Sequence, residues 1–279
     1  MAASGSSQSA AERREAQREA LRKQRQAELR RQRTVRTIVI AAITVVALVL
    51  VAGAGFLVYR AAQPEGPVAV PKGMSTDQPY LTLGAPEDSG APVVEVHLDF
   101  MCPFCGEFEQ ANGVDLAQFV DDESITLNLV LRNFLDTKSR SGDFSTRSAN
   151  ALVCVYEDNP DNTLAFQKLM FDNQPTEGSA GLDDDEIFDL AQQAGASEEV
   201  RSCMRGSTYD RWVDEVSDPY GKEVDNSTPF VSIDGESWGG NNMMYEPGAL
   251  KATLTERLSG DASDGGGASD AGGASDGGA

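Results

Sequence analysis

The sequence predicts an α/β fold with an inserted helical subdomain, preceded by a single transmembrane helix. Three observations carry this expectation. An apolar run, 93–101, meets a helix-forming segment at Cys102-Pro103-Phe104-Cys105, and a second strand-like run follows at 125–131. Between 136 and 222 the strand patterns give way to amphipathic helical ones. Residues 37–59 contain no charged side chain. The strand–helix–strand segment reads as a βαβ unit with a right-handed crossover.

Charge divides the chain. Residues 1–36 carry ten Lys and Arg against four Glu, whereas residues 61–279 carry twelve basic against forty acidic side chains. An acidic body of that kind does not bind nucleic acid for its charge; it is hydrated and self-repelling. Residues 1–10 are rich in Ser, Ala and Gly, a composition that predicts disorder. Residues 11–33 suit a charged helix without a core. The arm 1–36 reads as a cytoplasmic, positive-inside anchor, with a nucleic-acid-binding arm as the alternative. As a helix, residues 37–59 span about 35 Å, enough for the hydrocarbon core. Tyr59 and Arg60 suit the far interface. A cleaved signal peptide has a shorter apolar region behind a shorter basic stretch. The expectation is therefore a signal anchor: single-pass in the cell membrane, N-terminus cytoplasmic, the rest outside. All four cysteines then lie where disulfides persist.

The elements follow in order. Residues 60–78 have linker composition. Tyr80–Leu83 is a short strand closed by Gly84-Ala85-Pro86. After the strand 93–101, Pro103 suits a first helical position, where its missing N–H costs nothing, and the helix runs to Val120. Alternating Ile125, Leu127, Leu129 and Leu131 mark a strand. Asp143 is placed to cap a helix bearing Ala149, Leu152, Val153 and Tyr156. Thr163 starts a second, with Phe166, Leu169 and Met170. Asp183 starts a third, with Ile187, Leu190, Ala191 and Ala194. Val200, Cys203 and Met204 mark a fourth, and Tyr209, Trp212, Val213 and Val216 continue it or begin a fifth. Phe230–Ile233 is a strand, Asp234-Gly235 a hairpin turn, and Ser237-Trp238 the return. Pro247 opens a last helix, 248–258, which Gly260 ends. Residues 259–279 read as a disordered Gly/Ala/Ser/Asp tail.

Cys102 falls at a helix N-terminus, where free N–H groups and the dipole favour thiolate over thiol. Cys105 lies one turn on, close enough for a disulfide that closes and reopens. A structural pair or half a zinc site are the alternatives. Zinc needs four ligands, and His97 is the only histidine, so no metal site is expected. For Cys154 and Cys203 an even count outside the cell favours a disulfide over two free buried thiols.

The stretch Asp99-Phe100-Met101-Cys102-Pro103-Phe104-Cys105, its preceding strand, and Ser227-Thr228-Pro229-Phe230-Val231-Ser232-Ile233-Asp234-Gly235 resemble the thioredoxin superfamily, its DsbA-like branch in particular. The resemblance covers about residues 79–258. It implies a thioredoxin-like fold with the helical insertion at about 136–222, and a catalytic pair Cys102 and Cys105 around the dipeptide Pro103-Phe104. It also implies a cis peptide bond before Pro229, with the Thr228 backbone pairing an extended substrate. The implied activity is thiol–disulfide exchange on secreted proteins with free thiols. No small-molecule cofactor is implied, and a quinone-linked membrane partner would reoxidise the pair. Two positions differ from many members. Val96 stands where a buried acid is common, and Glu95, one place off, falls on the opposite strand face; the dipeptide also lacks the His of strong oxidants. A dithiol oxidase is the first expectation. A reductase or isomerase using the same cysteines, or a membrane-tethered binding or chaperone module with a structural Cys pair, are the alternatives.

Overall fold

The computed structural model describes residues 4–61 and 66–264. The chain falls into two units, Met1–Gly66 and Pro67–Ala279. In the first, α1 (Ser4–Ala61) is one continuous helix. Residues 4–10 belong to it, although their composition suggested disorder. No Gly or Pro occurs between 6 and 52, and Ala, Arg, Gln and Glu are strong helix formers. Within Arg30–Phe56 an 18-residue stretch has a mean hydropathy of 2.8 and is unburied, and the segment has the length and composition to cross a membrane.

In the second unit the elements run β1 (Leu81–Gly84), β2 (Val93–Leu98), α2 (Pro103–Asp121), β3 (Thr126–Leu131), α3 (Phe144–Asp158), α4 (Thr163–Asp172), α5 (Asp184–Gln193) and α6 (Glu199–Arg205). There follow α7 (Asp210–Trp212), α8 (Asp218–Val224), β4 (Phe230–Ile233), β5 (Glu236–Ser237) and α9 (Ala249–Asp264). Among the described residues the strands form a five-stranded sheet in the order β1-β3-β2-β4-β5. β2 and β3 are parallel across α2, and the other pairings are antiparallel. All six residues of β3 are buried, as a strand interior to a sheet covered on both faces requires. Its polar members find partners: Thr126 Oγ1 donates to Ala85 O at 2.9 Å, and Thr82 Oγ1 donates to Asn128 Oδ1 at 3.0 Å.

Several local expectations are corrected. Asp143 occupies the N-cap of α3 but makes no capping bond. Asp136 does that work, its Oδ1 accepting Ser145 N at 2.7 Å and Thr146 N at 3.2 Å. Asp183, by contrast, forms a full capping box with Glu186 on α5. Residues 210–224 are continuous helix with a π-helical turn at Val213–Ser217. Pro219 has no N–H to close an α-helical bond there. α9 runs through Gly260 to Asp264; the rest of the expected tail, 265–279, lies outside the described residues. The segment from Pro67 is also less free than its composition suggested. Val68, Val70 and Met74 pack against the core, Lys72 N donates to Glu157 Oε2 at 2.7 Å, and Trp212 Nε1 donates to Gln78 O at 3.2 Å. The Asp234-Gly235 turn has both residues at positive φ, 52° and 78°, as a two-residue hairpin turn demands.

Cys154 on α3 and Cys203 on α6 are joined by a disulfide across a separation of 49 residues. Closing such a loop removes unfolded-state entropy worth on the order of 4 kcal/mol. Replacing both cysteines by Ser is expected to lower the unfolding free energy by roughly 2–4 kcal/mol. Urea unfolding checks this, and an unmoved midpoint would contradict it.

Candidate active site

β2 stops at Leu98 because the chain turns there. Cys102 N donates to Asp99 O at 3.0 Å, and Met101 N donates to Asp99 Oδ1 at 2.8 Å. Pro103 then opens α2, with Cys102 as its N-cap in an extended conformation. Both Cys102 and Cys105 are buried and carry free sulfurs.

The antiparallel register brings the second half of the site in. β2 and β4 pair from Val94↔Ile233 to His97↔Phe230. The residues just past the end of β2 therefore meet those just before β4. The Thr228-Pro229 peptide bond is cis, and the Cys102 thiol donates to Thr228 O at 3.4 Å. Residues 126 apart in sequence thus share one site.

The two sulfurs differ electrostatically. The Cys105 thiol, hydrogen-bonded to Cys102, is the main cause pulling the Cys102 pKa down to about 6. Burial opposes this, while Thr228 and the N–H groups of Cys105 and Phe104 assist. These N–H groups belong to the first turn of α2, whose positive end faces its cap. Cys105 moves the opposite way: burial, then its bond to Cys102, pushes its thiol well above the ordinary range.

The acid beside this pair is Asp99, to which the sequence alone assigns no role. It is fully buried, and burial lifts its pKa to about 7. Ser145 Oγ (2.7 Å) and Leu135 N (2.9 Å) donate to its carboxyl group besides Met101 N. The available signal is a carboxylate at the end of a largely apolar run, three residues before Cys102. Glu95 belongs to the other strand face, where it accepts from Tyr220 Oη at 2.9 Å and lies 2.6 Å from His97 Nε2. His97 is therefore spoken for away from the cysteines. Glu109, one turn past Cys105 on α2, is a second buried acid, raised to about 7 by burial, with Gln167 Nε2 donating at 2.8 Å.

Arg132 supports the Thr228 loop from below. Fully buried, it donates from Nε to Asp218 Oδ1 at 2.8 Å and from Nη1 to Asp225 O at 3.1 Å. At the mouth, Phe104 is 55% exposed and its ring stands 6.2 Å from that of Tyr245.

A linkage follows from the buried acids. The folded pKa values of Asp99 and Glu109, about 7, exceed the unfolded ones. The stability each contributes is complete below about pH 4 and lost as pH rises through about 7. Cys102, lowered to about 6, contributes in the opposite sense, fully above about pH 8.5 and not at all once pH falls through its folded value. Glu109→Gln is therefore expected to flatten the fall in unfolding free energy of the reduced protein between about pH 4 and 7. Urea unfolding at a series of pH values measures it, and a slope equal to that of the unmodified protein would refute the linkage.

Comparison with known proteins agrees with this geometry. Over 116 residues the chain is 34% identical to the serine/threonine-protein kinase PknE of Mycobacterium tuberculosis, a match covering 40% of this chain and 20% of the kinase. The chain thus matches about one fifth of the length of that curated relative. Among solved structures it resembles DsbA from Mycobacterium tuberculosis in the reduced form, with 24% identity and a TM-score of 0.54 over 67% of this chain and 98% of that one. It also resembles the reduced DsbG of the same organism (24%, TM-score 0.52, 74% and 92% covered). A third likeness is to MdbA from Actinomyces oris, a thiol-disulfide oxidoreductase (22%, TM-score 0.53, 64% and 89%). The sequence model of the thioredoxin family matches residues 79–249, the stretch that holds the sheet, the cysteine pair and the cis-proline loop, and so the chain belongs to the thioredoxin family, with a DsbA-like fold.

Proposed function

We propose that this protein is an extracytoplasmic thiol–disulfide oxidoreductase that donates the Cys102–Cys105 disulfide to secreted proteins with free thiols. The observation that carries the reading is the opposite treatment of the two sulfurs: Cys102 lowered to about 6, Cys105 raised by burial. A substrate thiolate attacks Cys102 Sγ, the Cys102–Cys105 bond breaks, and Cys105 leaves and takes a proton. A second substrate thiolate attacks the substrate sulfur of the mixed disulfide. Cys102 departs as a thiolate that is stable at neutral pH and hence a good leaving group. Two electrons pass from substrate to enzyme. Stabilising the Cys102 thiolate stabilises the reduced form, which makes the disulfide the stronger oxidant. The Thr228 carbonyl beside Cys102 is suited to pair with an extended substrate segment, and Phe104 with Tyr245 offers an apolar edge. A quinone-linked membrane protein is the proposed reoxidant.

The domain plan proposed with this activity is an arm, 1–36, a signal anchor, 37–59, a linker, 60–78, whose part from Val68 packs on the domain, the catalytic domain, 79–258, with α9 extending to Asp264, and a Gly/Ala/Ser/Asp tail after it. The unburied apolar segment of α1 supports the anchor, and the Arg-rich arm supports a cytoplasmic N-terminus.

Three measurements test these readings. Alkylation of the reduced protein should modify Cys102 with a midpoint near pH 6 while Cys105 resists. Equilibration against glutathione should then give a potential above the approximately −270 mV of thioredoxin. Equal, slow alkylation would remove the catalytic reading, and a potential at or below that of thioredoxin would make the protein a reductase. Protease added outside intact cells should digest residues 61–279 and spare the arm. Recovery of a soluble form starting near Gly55 would replace the anchor with a cleaved signal.

A further inference from the structure

Gln174, in the loop after α4, reaches from the inserted helical subdomain to the turn that carries Cys102. Its Nε2 donates to Phe100 O at 3.0 Å and to Cys102 O at 2.8 Å. A carboxamide nitrogen has two hydrogens, one for each of these carbonyls. The orientation of the amide is dictated by chemistry, because a flipped group would set its oxygen against two others. Cys102 O already accepts Cys105 N at 3.0 Å and Gly106 N at 3.3 Å, so three donors converge on the carbonyl of the N-cap residue. The Gln174 oxygen lies over Gly106, where a Cβ would collide with it. Gly106 has no positive φ and sits inside α2. Its backbone thus tolerates any residue, and Ala would favour the helix more. What demands glycine there is room for the carboxamide.

We propose that Gln174 is a positioning residue for the Cys102 thiolate, and that Gly106 is the seat that admits it. By holding the Phe100 and Cys102 carbonyls together, Gln174 sets the direction in which the Cys102 side chain leaves the turn. That direction keeps the sulfur within reach of its donors, the Cys105 thiol and the N–H groups of Phe104 and Cys105. Loosening the clamp weakens those bonds together and returns Cys102 towards an ordinary thiol. The helical subdomain thereby tunes the reactive sulfur without touching it. The consequence for exchange rests on the oxidoreductase reading above; the consequence for Cys102 ionisation does not.

The test uses the full-length reduced protein in detergent, with Cys102 alkylation followed across pH by mass spectrometry. Gln174→Ala is expected to raise the Cys102 midpoint by about half a pH unit or more, the scale of one hydrogen bond. Disulfide transfer to a peptide dithiol at fixed pH should slow roughly threefold to tenfold. Gln174→Glu, the same shape with no donor and a negative charge, should raise the midpoint further than Ala. Gly106→Ala alone should also raise it, by displacing the carboxamide, yet add little in the Gln174→Ala background. A lower melting temperature with an unmoved Cys102 midpoint would reduce Gln174 to a structural role and overturn the proposal. Additive effects of the Gly106 and Gln174 substitutions would do the same. If the midpoints shift as expected but the unmodified protein transfers no disulfide, the positioning role stands and the oxidoreductase reading falls.

Discussion

A sulfur shielded from solvent resists ionisation, because burial penalises the charged form. At Cys102 this penalty is outweighed by groups gathered at one point: the Cys105 thiol first, then Thr228, then the first N–H groups of α2 as donors. Much of the surrounding architecture follows from that need. α2 must start at Pro103 so that its unpaired N–H groups face the cap. β2 must end at Leu98, five residues before Pro103, to leave room for the turn, and the β2–β4 register must deliver Thr228 to the same point.

The pair works through asymmetry. Cys105 is fully within the protein and favours its protonated form, while Cys102 favours its anion. Asp99 lies beside both: its charge opposes ionisation of Cys105, while burial first, and then the charge of Cys102, lift its own pKa. Its donors come from three places: the turn itself at Met101, the loop at Leu135 and the first turn of α3 at Ser145. One carboxyl group therefore ties the cysteine turn to the helical insertion. Gln174 makes a second tie from the same insertion, to the carbonyls of the turn. The insertion is part of the frame of the site.

Charges elsewhere in the domain are handled according to their depth. Arg132, fully buried, is matched by Asp218 and by the carbonyl of Asp225, so its charge is not left alone in the interior. Its reach to Asp225 braces the chain a few residues before Thr228. On the other face of β2, Glu95 joins His97 to Tyr220. Many of the exposed carboxylates pair with Lys or Arg, as Asp184 does with Arg147 and Asp234 with Arg257.

By itself the sequence determined the features that depend on local chemistry. The apolar run before Cys102, the proline after it and the two-residue cysteine spacing set a reactive sulfur at a helix start. The Asp183 helix start, the Asp234-Gly235 turn and the uncharged stretch at 37–59 are equally local, which is why they are legible. Tertiary structure alone decided what depends on meetings across long separations. Asp99 became a buried acid only because Leu135 and Ser145 close over it. Asp136 displaced Asp143 as the cap of α3 because a short helical turn folds its carboxylate onto the first N–H groups. Val68 and Val70 packed on the core from a segment of linker composition, and Gly106 found its reason in Gln174, sixty-eight residues on. A sequence states which groups a chain carries. Which of them lose their water, and what replaces it, is settled when distant segments come together, and burial of that kind is what moves the pKa values on which the proposed chemistry rests.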